Sequence, residues 1–399
     1  MADLLKGNAV IGQSGGPTCV INQSLVGVVT AIQHMPMVEH LFGARHGVRG
    51  IIEENFVDMK KIPLPTLEAV ANTPAAALGS TRDKPDAEYC KRIFEVFAAR
   101  DVHYFFYIGG NDSADTARIV NELADQAGYE LRVFHIPKTI DNDLRVTDHC
   151  PGYGSAAKFV ACALMGDDRD NASLPGVKVD IIMGRHAGWL TAASALGRTD
   201  PSDGPHLIYM PERKIDPDQM LADVDEVLKK RGRCLLAISE GIEDSEGVAW
   251  AQRIVEDGER DAHGNLQLSG SGAMGDYICQ LIRDKLSVNR VRGDTFGYLQ
   301  RSFAGCISPV DQAEARLAGN KAVEYAMAGN LDGSVAFKRT GNGPDYGIEC
   351  VLTELSSVAR DTKDLPAEYI APNGHDVTEA FIEYALPLTG GLPQIGKLF

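Results

Sequence analysis

The chain has 399 residues, 44% of them hydrophobic and 24% charged, enough to bury a large core and to form two domains or three. A formal net charge of −16 argues against nucleic acid or an anionic membrane as the main partner, and requires that any phosphate substrate be drawn in by cations concentrated locally. Eight cysteines lie singly, without CxxC pairs or metal-ligand spacing, and no apolar run reaches the roughly 18 residues of a membrane span.

The first element is "NAVIG", a short apolar strand. The preceding "MADLLKG" lacks the basic and long apolar regions of a secretory signal, so a reduced, cytoplasmic protein is expected. "QSGGPTCVINQSL" follows, placing Gly15 and Gly16 between strand and helix. A glycine pair there lets backbone approach a phosphate, with the helix-start N–H groups attracting the anion. A plain tight turn accounts for the same residues equally well.

The strand "VHYFFYIG" runs into "GNDSADTARIVNEL", with Gly109 and Gly110 ahead of Asn111, Asp112 and Ser113 at a helix start. Asp and Ser are favoured helix caps and need no ligand, although a simple cap does not require two glycines before it. "LRVFHI" then leads into "PKTIDNDL". Two aspartates beside Lys138 at a strand end suit acid–base work on a charged substrate. One takes a proton from a hydroxyl while the other holds a metal or positions the first, and the lysine neutralises a transferring phosphoryl group. The competing reading is an Asx-rich turn with a solvated lysine.

"VDIIMG" ends in Arg185, whose fork suits phosphate, and "RCLLAIS" ends in Glu240. "RVRGDTFGYLQRS" gathers Arg290, Arg292 and Arg301 around Tyr298, a local basic density that suggests an anion site in so acidic a chain. "TDPSDGPH" and "RTGNGPDYG" read as surface turns. Beyond residue 330 the pattern weakens, and "LTELSSVARDTKDLPAEYI" is too irregular to place. The repeated succession of a continuously apolar strand, a polar cluster and a helix predicts an α/β fold with mostly parallel sheets flanked by helices. The unusual residues follow the strands directly, where such sheets bind ligands.

These segments, in this order, resemble the phosphofructokinase family, from about residue 8 to about residue 310. The resemblance implies two domains with the active site in the cleft between them. Residues 1–145 with 303–365 would hold the phosphoryl donor, and 146–302 with 366–399 fructose 6-phosphate. It makes Asp141 the base that deprotonates the sugar's 1-hydroxyl, with Thr139 and Asp143 assisting and Asp143 near Mg²⁺. Gly15 and Arg82 fall on the donor side. Met183, Gly184 and Arg185 match the "MGR" sugar-phosphate motif, Glu240 the glutamate that hydrogen-bonds the sugar, and Tyr298 to Arg301 the grip on the 6-phosphate, with Tyr298 where relatives usually carry histidine. Arg292 matches an arginine that reaches across from a neighbouring subunit, which implies a homodimer or homotetramer.

Two positions bear on the donor. ATP-dependent members usually read "GGDGS" and "PGTIDND", whereas this chain reads "GGNDS" and "PKTIDND". Asp112 and Lys138 in place of glycines resemble the pyrophosphate-dependent branch. A carboxylate at 112 fills the room of the α-phosphate and repels it, while Lys138 grips a smaller donor. Asn111 stands where the family usually has a metal-associated aspartate. Mg²⁺ would then be held chiefly by pyrophosphate and water, with one oxygen or an indirect contact from Asn111. Gly176 stands where a second neighbouring-subunit arginine is expected, and Lys178 is its nearest substitute. The implied reaction is reversible phosphoryl transfer from pyrophosphate to fructose 6-phosphate. The alternatives are an ATP-dependent kinase and a non-catalytic subunit that only binds sugar phosphate.

Overall fold

The computed structural model describes residues 5–254, 272–359 and 361–398. Among them the strands are β1 (Gly7–Gln13), β2 (Val38–Ala44), β3 (Phe56–Asp58), β4 (Val102–Gly109), β5 (Arg132–Pro137), β6 (Val177–Ile182), β7 (Leu207–Tyr209), β8 (Cys234–Ser239), β9 (Val291–Thr295), β10 (Asp332–Gly341) and β11 (Gly347–Thr353). They form two sheets, ordered β11-β10-β5-β4-β1-β2-β3 and β7-β8-β6-β9. No helix among the described residues is long and apolar enough to cross a membrane.

The chain divides into two compact units, Met1–Tyr153 with Pro309–Lys363 and Gly154–Ser308 with Asp364–Phe399. The first dividing point lies beyond the 145/146 expected from the sequence. The loop after β5 stays with its sheet as far as Gly152, which is bridged to Thr139 and donates its N–H to Asp311 (2.8 Å).

In the first unit, β5, β4, β1 and β2 are parallel, and antiparallel β3 and β11 close the two ends. Strands β1, β4 and β5 are mostly apolar along their length because successive side chains enter different cores. Tyr104, Phe106 and Ile108 of β4 join Ile11 and the helices Ile21–Ile32 and Pro309–Met327 on one face. Phe105 and Tyr107 join Val10, Phe97 and Val120 on the other. Each buried aromatic contributes about 1.5–3 kcal/mol. The chain runs from β1 out to β2 and β3, then returns to the opposite side of β1 as β4. This reversal of direction opens a crevice at the carboxyl ends of β1 and β4.

The second unit is parallel throughout. Val177, Val179 and Ile181 of β6 pack with Leu236 and Ile238 of β8 and with Ile278 and Ile282. Strands β7 and β8 lie on one side of β6 and β9 on the other, so the order reverses between β6 and β9. Sequence patterning did not anticipate β9, whose Arg292, Gly293 and Asp294 are exposed. It runs along a sheet edge, where no alternation of apolar residues is required.

Candidate active site

Both reversal points carry the residues that the sequence singled out. In the first unit, β1 and β4 are joined just past their ends. Ser14 donates its N–H to the Ile108 carbonyl (2.9 Å), and the Ser14 and Ser113 hydroxyls hydrogen-bond. A Cβ on Gly109 would collide with both hydroxyls. The first glycine of "GGNDS" therefore has a packing reason of its own. Gly110 caps the helix Asn111–Gln126, and the Asn111 side-chain oxygen accepts the Asp112 N–H (3.0 Å).

Lys138 is 3% exposed and turns back onto the glycine pair, where its ammonium donates to the Gly16 carbonyl (2.7 Å). Gly15 has φ +74°, and a Cβ there would lie 3.0 Å from the Lys138 Nζ. Glycine at 15 thus serves both the left-handed turn and the approach of the lysine. One expectation is corrected. The helix after this turn begins only at Ile21, and the Gly15 N–H is bonded to the Thr81 carbonyl (2.9 Å), so helix-start amides do not lie beside the glycine pair.

The loop bearing Thr81 also carries Arg82, which is exposed, and Lys84, which forms an ion pair with Asp112 (3.1 Å). Both partners are half exposed, at 52% and 55%, so the pair is screened and weak. Even so, it offsets part of the bare charge expected at 112. Sequence reasoning passed over Lys84, whose only signal was its place two residues after Arg82.

Past β5, the Thr139 hydroxyl accepts the Asp141 N–H (3.1 Å) and donates to the Asp143 carboxylate, linking the two acids. Burial pushes the Asp143 carboxyl above the usual aspartate range, against hydrogen bonds from its own N–H and Thr139 and the positive charges of Lys363 and Lys138. Between the acids, Asn142 is fully buried with φ +56°, and its side-chain oxygen accepts the Cys150 N–H (3.0 Å). Asparagine tolerates this conformation better than other side chains with a Cβ. Asn142 is therefore the pivot that separates Asp141 from Asp143, a role that sequence reasoning did not assign.

In the second unit, the segments after β6, β8 and β9 meet. The Met183 N–H donates to the buried Gln300 side chain (3.3 Å), and the Ser239 hydroxyl donates to the Gly184 carbonyl (2.5 Å). A Cβ on Gly241 would strike the Arg185 carbonyl, so glycine after Glu240 lets the Arg185 backbone lie against it. Glu240 is 5% exposed. The Arg301 guanidinium lies over the Tyr298 ring, 4.4 Å from its centroid. Met183, Gly184, Arg185, Glu240, Tyr298 and Arg301 thus belong to one set of strand-end loops. Gln300 and Ser239 tie the set together, and neither was singled out from the sequence.

Arg292 is not brought to this set within its own chain. It sits early in β9, about 13 Å of strand before Phe296 at roughly 3.3 Å per residue, and donates to the Val291 carbonyl (3.0 Å). Lys178 is committed elsewhere. It bonds Asp294 and lies 3.5 Å from Asp167, beside the buried Asp180. Burial first, then Asp167, drives the Asp180 carboxyl well above the ordinary range. Within its own chain Lys178 is the counter-ion of an acidic cluster.

A family model described as Phosphofructokinase matches residues 8–326. The chain belongs to the phosphofructokinase family. It is 54% identical over 396 residues to the pyrophosphate–fructose 6-phosphate 1-phosphotransferase of Rhodospirillum rubrum, covering 99% of this chain and 97% of that one. It is 33% identical to a sulfofructose kinase of Alkalicoccus urumqiensis, covering 90% and 91%. The crystal structure of a pyrophosphate-dependent phosphofructokinase from Nitrosospira multiformis superposes with a TM-score of 0.86 at 33% identity, covering 98% and 95%. All of the phosphofructokinase motifs described above lie within the matched span.

Proposed function

We propose that the chain transfers a phosphoryl group reversibly between pyrophosphate and the 1-hydroxyl of fructose 6-phosphate. The observation that carries this reading is the Lys138 ammonium seated on the Gly15–Gly16 turn, at the reversal point of the first sheet. A positive charge there stands where the family resemblance puts a glycine in most ATP-dependent members, and the high identity to the Rhodospirillum rubrum enzyme supports the same donor. The first unit would serve the donor through Gly15, Gly16, Arg82, Gly110, Asp112, Ser113 and Lys138. The second would bind the sugar phosphate through Met183, Gly184, Arg185, Glu240, Tyr298 and Arg301, with Arg292 supplied from another copy in a homodimer or homotetramer. Eight free cysteines suit a reducing cytoplasm.

In this reading Asp141 takes the proton of the 1-hydroxyl as the oxygen attacks phosphorus. The bond to the bridging oxygen breaks, and phosphate departs with the electron pair. Thr139 holds Asp141 and Asp143 in register. Lys138 and Arg185 stabilise charge on the phosphoryl oxygens. Asp143 and Asn111 would each offer Mg²⁺ one oxygen, with phosphate and water filling the rest of its shell. When bound, the ion would neutralise pyrophosphate charge.

The sulfofructose kinase among the relatives means that family membership alone does not fix the acceptor, so the decisive measurement is a donor-by-acceptor panel on the purified chain. Pyrophosphate with fructose 6-phosphate should support turnover, and fructose 1,6-bisphosphate with phosphate should run it backwards. ATP should give rates lower by about 10²-fold, roughly 2.7 kcal/mol of discrimination. Asp141→Asn should lower kcat by about 10²–10⁴-fold. Equal or better turnover with ATP would overturn the donor assignment, and a fully active Asp141→Asn variant would remove the base.

A further inference from the structure

The loop from Lys138 to Gly152 carries both candidate reactive aspartates, yet its backbone is not one that relaxes into place unaided. Asn142 and Val146 both have positive φ, at 56° and 67°. For the β-branched Val146 this conformation is costly and persists only where surrounding structure enforces it. The enforcing segment comes from the far end of the unit, residues 361–363.

Thr362 pairs with Leu144 in an isolated antiparallel bridge, and the Lys363 N–H donates to the Asp143 carbonyl (2.6 Å). The Lys363 side chain also donates its ammonium to the carbonyls of Thr147 (3.0 Å) and Asp148 (2.8 Å). One residue thus holds the loop on both sides of its strained turn. Arg145 and Asp361 add an exposed ion pair (2.7 Å). Arg339 grips the Asp148 carboxylate from β10, fixing the end of the loop that Lys363 closes.

We propose that Lys363 is a positioning residue for phosphoryl transfer, clamping the 141–148 loop so that Asp141 and Asp143 hold their reactive geometry. This rests on the roles given to those aspartates above. An ammonium suits the task because it offers three donors on a flexible stem and can bond two successive carbonyls. Methionine would fill similar space and leave both carbonyls without that donor.

The test uses the full-length purified chain with Lys363→Met, Lys363→Gln and Lys363→Arg, read by steady-state kinetics and by hydrogen exchange of peptides covering 141–148. Lys363→Met should speed exchange in that loop and not in β1 or β4. It should lower kcat about 10–100-fold, the loss expected for charge-assisted hydrogen bonds, with KM for fructose 6-phosphate within about threefold. Lys363→Arg should recover part of both, and Lys363→Gln should fall between, which keeps the comparison open if the methionine variant does not fold. The proposal fails if loop exchange and kcat both stay within about twofold of the parent. It also fails if only melting temperature falls while kcat is kept. If the parent does not use pyrophosphate but the variants still loosen the loop, the clamp stands and the donor reading falls. If the parent uses pyrophosphate and the variants match it, the donor reading stands and the clamp falls.

Discussion

Asn142 shows what one residue contributes to the site. Its left-handed backbone turns the chain between the two acids, and its buried side chain bonds the Cys150 N–H. Asn142→Ala loses that bond and places an ordinary side chain at positive φ, so stability should fall by about 1–3 kcal/mol, with kcat falling as Asp141 and Asp143 lose register. Asn142→Gly relieves the backbone and not the lost bond, so it should fall less. Urea unfolding with parallel rate measurements checks the order, and a glycine variant less stable than the alanine one would show that backbone conformation is not the main term. The position of the acids and Lys138 directly after an apolar strand was legible in the sequence. It left an Asx-rich turn with a solvated lysine open, and only the burial of Lys138 removes the solvated lysine. The role of Asn142 was not legible, because an asparagine in a polar loop looks the same whether it faces water or is buried.

Among the elements, the helices Ile21–Ile32 and Pro309–Met327 pack on one face of the first sheet and approach closely through two glycines. A Cβ on Gly27 would strike the Arg316 carbonyl, and one on Gly319 the Ser24 carbonyl. Because the obstacle is backbone, it cannot swing aside. Gly319→Ala gains up to about 1 kcal/mol of helix propensity but incurs overpacking of about 1–3 kcal/mol, so the net effect should be a lower melting temperature. Gly166, inside the helix Tyr153–Ser173, has open space where a Cβ would go, and Gly166→Ala should raise the melting temperature by the propensity term alone. If both substitutions move it the same way, close helix approach is not what fixes glycine at 319. At this scale the sequence was legible in β1, β4, β5, β6 and β8, whose residues are nearly all buried. It missed the internal strands β2, which carries the exposed Glu39, and β10, whose second half is partly exposed, and it missed the edges. In β9, "VRGDT" is charged and exposed, and the segment bearing Lys363 has no periodicity because its order comes from hydrogen bonds to a loop more than 200 positions earlier.

For the molecule as a whole, the return of Pro309–Lys363 to the first unit is the feature that composition and periodicity could not supply. It came only from family resemblance, since nothing local in the segment records which sheet it joins. That returning segment also brings Glu314, Arg339 and Tyr346 to His149, which is 1% exposed. The imidazole bonds Asp148 through Nδ1 (2.8 Å) and Glu314 through Nε2 (2.7 Å), while Tyr346 donates to Glu314 (2.6 Å). Burial opposes charge on the ring, but the two carboxylates prevail and raise its pKa above the ordinary 6.5. Burial likewise opposes charge on Asp148, yet hydrogen bonds from His149 and Arg339 lower it to about 2. The signs then follow by linkage. The raised histidine stabilises fully below 6.5 and loses that contribution as pH rises through its folded value. The depressed aspartate stabilises fully above its ordinary 3.8 and loses its contribution as pH falls toward about 2. Both contributions are therefore complete only between those ordinary values. His149→Gln should lower the melting temperature most in that window, and the gap from the parent should narrow steadily as pH rises beyond 6.5. A gap that stays constant from about pH 6 to 9 would mean that the folded protein holds this histidine neutral, and that the network is joined by hydrogen bonds without charge.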